Sequence, residues 1–186
     1  MPYDTNIMVK DILSPQEINR LSACHYPDEN RMIQKAFIFC CYTGMRFCDV
    51  TALTLAHIDY DGMVMRFTQK KSAGRSAHAA VVTPLTPDLL RLIGTPPDDD
   101  NSARIFPKLK RETIRVHLAK WMKAAGINKH IIWHCARHSF AVNLLNAGAN
   151  IKTVSSLLGH ASIKMTEKYL HVVASLRPRQ STHSVR

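Results

Sequence analysis

The chain has no run of about 18 apolar residues, the length a membrane-spanning helix needs, so no transmembrane segment and no membrane partner is expected. Met1-Pro2-Tyr3-Asp4 offers no basic stretch leading into an apolar one, so no signal peptide is expected either. Cysteines are few and odd in number: Cys24, Cys40, Cys41, Cys48 and Cys135. Three of them lie in apolar helical stretches, which suits buried free thiols in a reducing cytoplasm better than a disulfide framework. None has the paired spacing of a zinc site. Internal repeats and low-complexity segments are absent, which excludes solenoids and disordered arrays. A composition of 46% hydrophobic and 21% charged residues over 186 positions is that of one ordinary globular domain.

The scarcest class is acid in the second half. From residue 103 onward only Glu112 and Glu167 are acidic, against 15 Lys and Arg, a net of +13. Residues 1–102 carry 10 basic and 12 acidic residues, a net of −2. A one-sided positive field of this size attracts polyanions, of which DNA is the commonest. Neither end of the chain pairs a Trp/Leu face with a Lys/Arg face, as a membrane-surface helix would.

Ser14-Pro15-Gln16-Glu17 has the form of a capping box with Pro at the first helical position, predicting a helix to about Cys24. A second helix is expected over Arg31 to Tyr42, ended by Gly44, and a short third after Arg46. Asp61-Gly62 is a hairpin-type turn before the strand candidate 63–68, and 79–82 offers a return strand stopped by Pro84. Thr86-Pro87 opens another helix. Helical periodicity then dominates over about 113–125, 133–147, 150–158 and 162–175, punctuated by Gly126, Gly148 and Gly159. The fold class expected is mainly α (α+β), with a small antiparallel β-hairpin insert.

Chemistry concentrates in His134-Cys135-Ala136-Arg137-His138, Gly159-His160 and Tyr169. On a helix, positions 134, 137 and 138 share one face. Arginine suits bidentate contact with phosphate, and histidine can donate to a phosphate oxygen or move a proton. A tyrosine hydroxyl, with a reference pKa of about 10, is a poor nucleophile unless its products are stabilised. Cations around a phosphodiester would supply that stabilisation. His134 and His138 at i and i+4 could instead hold a metal, but Cys135 stands where a metalloprotease helix has its glutamate. No metal or other cofactor is expected.

These residues fall into four boxes. Thr43-Gly44-Met45-Arg46-Phe47-Cys48-Asp49 has the form T-G-[LM]-R-x-x-[ED]; His134 to His138 reads H-x-x-R-H; Leu158-Gly159-His160 reads L-G-H; Thr166 to Tyr169 reads T-x-x-Y. Together, in this order, they resemble the tyrosine recombinase (phage integrase) family, and the resemblance runs from Leu13 to the tyrosine helix. It implies an α-helical catalytic domain over 13–176, preceded by a remnant or linker at 1–12 and followed by a basic tail at 177–186. It implies a nucleophile, Tyr169, assisted by Arg46, His134, Arg137 and His160. The family's hairpin lysine, a general acid for the leaving 5′-oxygen, would be Lys71, with Lys70 the alternative. Asp49 and His138 would support the cluster. The implied activity is integrase-type, metal-independent cleavage and rejoining of DNA through a 3′-phosphotyrosyl link, as in phages and mobile elements. Double-stranded DNA is the implied partner, with self-association on it as a dimer or tetramer, in the cytoplasm. Val172, Val173 and Leu176 offer an apolar stripe that could dock into a neighbouring subunit. The competing readings are a type IB topoisomerase and a non-catalytic DNA-binding regulator.

Lys70, Lys108, Lys110, Arg111, Arg115, Lys120 and Lys123 are the expected DNA contacts. If they neutralise phosphates, the logarithm of affinity should fall linearly with that of salt concentration, by about 0.9 per neutralised phosphate. A filter-binding or anisotropy titration measures this slope. Affinity independent of salt would contradict the expectation.

Overall fold

The computed structural model describes residues 12–26, 31–69, 80–95 and 101–176. The chain runs through α1 (Pro15–Ala23), α2 (Arg31–Thr43) and α3 (Phe47–Val50), then a 3-10 turn at Leu55–His57. Strands β1 (Ile58–Asp59), β2 (Val64–Thr68) and β3 (Ala80–Pro84) follow. Helices α4 (Pro87–Ile93), α5 (Arg111–Ala124), α6 (Trp133–Asn146), α7 (Ile151–Leu158) and α8 (Lys164–Leu176) complete it. The expected mainly helical α+β class with a small antiparallel sheet is what the chain adopts.

Local chemistry sets most boundaries. Ser14 caps α1 by accepting from the Glu17 amide, while the Glu17 carboxylate accepts from the Ser14 amide at 2.8 Å, the reciprocal box expected from the sequence. Thr86 accepts from the Leu89 amide to start α4, and Asn150 from the Lys152 amide to start α7. The three strands are antiparallel in the order β1-β2-β3, with Met65 opposite Thr83 and Phe67 opposite Val81. Alternation puts Met65, Phe67, Val81 and Thr83 inward and leaves Arg66, Thr68 and Val82 outside. The two-residue β1 and the 3-10 turn were not foreseen, being shorter than any periodicity can register.

Two apolar clusters form the interior. The larger is organised on α2, where Phe37 makes edge-to-face contacts with Trp121 of α5 and Trp133 of α6, and Phe39 packs on Phe106. The smaller gathers Ile12, Phe140, Val142, Leu145, Val154, Leu158, Tyr169, Val172 and Val173. Helix α6 joins them: Cys135 and Ala136 belong to the first and Phe140 to Leu145 to the second, so the helix is buried nearly all round. Val172 and Val173 therefore fill this chain's own core, and the stripe expected to dock into a neighbour is not free to do so; only Leu176 of the three is exposed.

The segment before α1 is laced to α6. The Leu13 amide donates to Ser139 Oγ at 2.8 Å, and Asn143 Nδ2 donates to the Leu13 carbonyl at 3.0 Å. Lys129 Nζ reaches both the Ile12 carbonyl and Glu17, each at 2.7 Å.

Gly44 shows how little room this packing leaves. Its φ of +67° is a conformation side chains rarely adopt, and a Cβ there would lie 2.5 Å from Phe140 Cδ1 and 2.9 Å from Leu158 Cδ2. Gly44→Ala should destabilise the fold by about 2 kcal/mol or more, combining backbone strain with overpacking. Urea unfolding of both proteins would measure it, and an unchanged midpoint would contradict this account of the α2–α6 contact.

Candidate active site

The site lies where the two clusters meet, and its residues come from five elements. Arg46 is the N-cap residue of α3, brought there by the turn at Gly44. It makes no side-chain cap. Its guanidinium, half-buried, instead donates through Nη1 to the side-chain oxygen of Gln69, just past the end of β2.

Arg137 turns inward from α6 and is only 3% exposed. Nη1 donates to the Gly44 carbonyl and Nη2 to the Leu158 carbonyl, both at 2.7 Å. One carbonyl follows the last residue of α2 and the other ends α7, so the buried cation is held between the negative ends of two helices. Burial, and next the nearby Arg46 charge, draw the guanidinium pKa down to about 9; Tyr169 and Asp49 act in the opposite direction. Helical spacing placed 134, 137 and 138 on one face, yet the three differ in depth: His134 is exposed, His138 half-buried and Arg137 buried.

Tyr169 sits on α8, 1% exposed, as part of the smaller core. Its hydroxyl and His138 Nδ1 share a hydrogen bond of 3.1 Å, and the His138 ring in turn meets His134 edge-to-face at 4.6 Å. Burial raises the phenol pKa above its ordinary value, partly offset by the charges of Arg137 and Arg46. Burial, followed by the neighbouring His134, lowers His138 to about 3, so its imidazole is neutral around pH 7. In the Nε2–H tautomer the phenol donates to it.

His160 follows Gly159, whose left-handed φ of +58° ends α7. The ring is 6% exposed, and Nδ1 pairs with Thr166 Oγ1 at 2.7 Å. Burial and then Arg137 lower its pKa to about 3, so it too is neutral. Ser162 accepts from the Lys164 amide at 3.3 Å, giving the tyrosine helix its expected start. Lys168 lies half-buried with Nζ 5.3 Å from the centre of the Tyr169 ring.

Asp49 is buried on α3, near enough for its charge to act on Arg137. Lys70 and Lys71 lie outside the described residues. Lys108, Lys110, Arg111, Arg115, Lys120 and Lys123 are all exposed, on α5 or just before it. Arg111, the first residue of α5, stands over the ring of Phe47, the residue after Arg46, at 5.0 Å, so the exposed cations of α5 begin next to the site. The structure thus gathers Arg46, His138, Arg137, His160, Asp49 and Tyr169, with His134 at the rim. Sequence reasoning passed over Gln69, Thr166 and Lys168. The last two flank Tyr169 inside the T-x-x-Y box and could have been found there; Gln69 carried no local signal. Two guanidinium groups beside a protonated phenol and neutral imidazoles suit stabilisation of negative charge on oxygen while the phenol gives up its proton.

Comparison with known proteins bears on this arrangement. The model of the phage integrase family matches residues 11–175. A tyrosine recombinase of Pseudothermotoga lettingae is 28% identical over 175 residues, covering 89% of this chain and 57% of that protein. The tyrosine recombinase XerC of Escherichia coli O127:H6 is 27% identical over 163 residues, covering 84% of this chain and 54% of XerC. The chain thus spans about half the length of these curated relatives. Among solved structures, the catalytic domain of bacteriophage HP1 integrase superposes with a TM-score of 0.66 at 24% identity, covering 89% of both chains. The Tn1549 transposon integrase, solved in complex with a circular intermediate DNA, gives a TM-score of 0.69 at 20% identity, covering 91% of this chain and 63% of the integrase. With nearly the whole chain matched by the family model, this protein belongs to the phage integrase family of tyrosine recombinases.

Proposed function

We propose that the chain is a strand-cleaving and rejoining domain of a site-specific DNA recombinase, with Tyr169 as its nucleophile. The observation that carries this reading is the placement of the Tyr169 hydroxyl, bonded to a neutral imidazole within the field of two guanidinium groups. The Tyr169 hydroxyl passes its proton to the His138 imidazole bonded to it and its oxygen attacks the scissile phosphorus, the bond to the 5′-oxygen breaks, and a 3′-phosphotyrosyl link forms. The leaving oxygen takes a proton, the task assigned to Lys71, or Lys70 in its stead. A 5′-hydroxyl from a partner duplex reverses these steps and joins new strands. Arg46 and Arg137 neutralise the non-bridging oxygens, with His134 and His160 donating to them. Asp49 supports Arg137 electrostatically, and His138 holds the phenol.

Because Tyr169 is 1% exposed, α8 must shift outward before the oxygen can reach a phosphate. The exposed cations on α5 and just before it, with Arg111 beside the site, support the reading that double-stranded DNA passes here and contacts Lys108, Lys110, Arg115, Lys120 and Lys123. Exchange between two duplexes requires more than one copy, so self-association on DNA belongs to the proposal. The relatives named as recombinases, and the integrase solved with DNA, support the same reading.

Tyr169→Phe removes one oxygen and one hydrogen bond, costing about 1 kcal/mol of stability. Incubated with a nicked suicide duplex, it should bind DNA normally and form no denaturation-resistant adduct. Arg137→Ala should slow adduct formation by about 100-fold or more. A normal adduct yield from Tyr169→Phe would contradict the assignment.

Adduct formation should also persist in excess EDTA, because the charge stabilisers are side chains. Loss of cleavage on chelation, restored by a divalent ion, would replace this mechanism with a metal-dependent one.

A further inference from the structure

Gln69 lies one residue beyond β2 and immediately before the lysine pair, and it is 1% exposed. Both ends of its amide are engaged. The side-chain oxygen accepts from Arg46 Nη1, and Nε2 donates to the Leu158 carbonyl at 2.8 Å. That same carbonyl accepts from Arg137 Nη2. A Cβ at Gly159 would fall 2.6 Å from the Gln69 amide, so the backbone of the L-G-H turn lies directly against it. One side chain thus touches the Arg46 guanidinium, shares a carbonyl with Arg137, and abuts the turn that carries His160.

We infer that Gln69 is a positioning residue: it fixes the Arg46 guanidinium relative to Arg137 while leaving the Arg46 charge available to a phosphate. The inference rests on the recombinase reading for its catalytic consequence, and on geometry alone for the clamp.

The chemistry calls for an amide. Arg46 is half-buried on a long side chain with many accessible rotamers, so something must hold it before DNA arrives. A carboxylate at position 69 would hold it more strongly but would form an ion pair and cancel the charge a phosphate requires. It would also lack a donor for the Leu158 carbonyl and set two acceptors against each other. An aliphatic side chain would fill the space and hold nothing. The amide orientation is fixed by the same logic, since a flip would oppose donor to donor at Arg46 and acceptor to acceptor at Leu158.

The test uses the 186-residue chain with Gln69→Met, which keeps length without hydrogen bonding, and Gln69→Glu, which keeps shape and adds charge. Thermal melting establishes that each folds; should Gln69→Met fail to fold, Gln69→Glu carries the test. At saturating nicked duplex, the single-turnover rate of adduct formation should fall by about 10- to 100-fold in Gln69→Met and further in Gln69→Glu, the scale expected for a displaced charge stabiliser. The DNA dissociation constant should stay within about twofold, because the phosphate contacts along the rest of the duplex remain. A duplex with a neutral methylphosphonate at the scissile position needs less from Arg46, so there the deficit should shrink towards unity. Equal rates on the phosphate duplex, or the same deficit on both duplexes, would overturn the inference. If the unmodified chain forms no adduct at all, the recombinase reading fails, and the clamp is decided by NMR of the arginine side chains. Arg46 should then show separate, slowly exchanging guanidinium signals that collapse in Gln69→Met, and identical spectra would overturn the clamp.

Discussion

The constraint on which the rest depends is a charge carried inside the protein. Arg137, 3% exposed, sits on a helix buried on nearly all sides. An unpaired ion there would cost several kcal/mol, so the guanidinium needs partners that carry negative charge. Two backbone carbonyls take that role, both at helix C-termini where the peptide dipoles leave partial negative charge. The arrangement dictates much else. Helix α2 must end at Gly44 and α7 at Leu158, and the ends must stand one guanidinium apart. The left-handed glycines at 44 and 159 let both helices stop there. A carbonyl carries only partial negative charge, so these two partners hold the cation without forming an ion pair.

The same economy governs the proposed nucleophile. Tyr169 is at once a core residue, packed with Phe140, Val172 and Val173, and the hydroxyl to which His138 is joined. Burial keeps the phenol protonated and the His138 and His160 imidazoles neutral, and Arg46 and Arg137 supply positive charge beside them. A phenol stored this way is out of reach of phosphates in solution. For Tyr169 to attack DNA as proposed, α8 has to give up apolar contacts, and binding the duplex or a second copy would supply that energy.

The sequence was informative wherever the determinants were local. Ser14 and Glu17 announced α1, and Gly44, Gly126, Gly148 and Gly159 marked helix ends. The order of the H-x-x-R-H, L-G-H and T-x-x-Y boxes pointed to the residues that the fold brings together. What it could not convey were contacts between distant positions. Gln69 and Leu158 are 89 residues apart, and nothing at either position signals the bond. Periodicity put 134, 137 and 138 on one face but could not say that Arg137 would turn towards carbonyls from two other helices. Val172 and Val173 showed that α8 had an apolar face without showing what covered it, and the cover proved to be the chain's own α6 and α7.

The central claim is that one oxygen, on Tyr169, becomes bonded to DNA. The most direct measurement is mass spectrometry of the trapped adduct after digestion with nuclease and trypsin. Cleavage after Lys168 yields a peptide beginning at Tyr169, and the account predicts that this peptide alone carries the mass of a residual 3′-linked nucleotide, with fragmentation placing it on the tyrosine. A nucleotide mapped to any other peptide, or to a serine or histidine of this one, would contradict it.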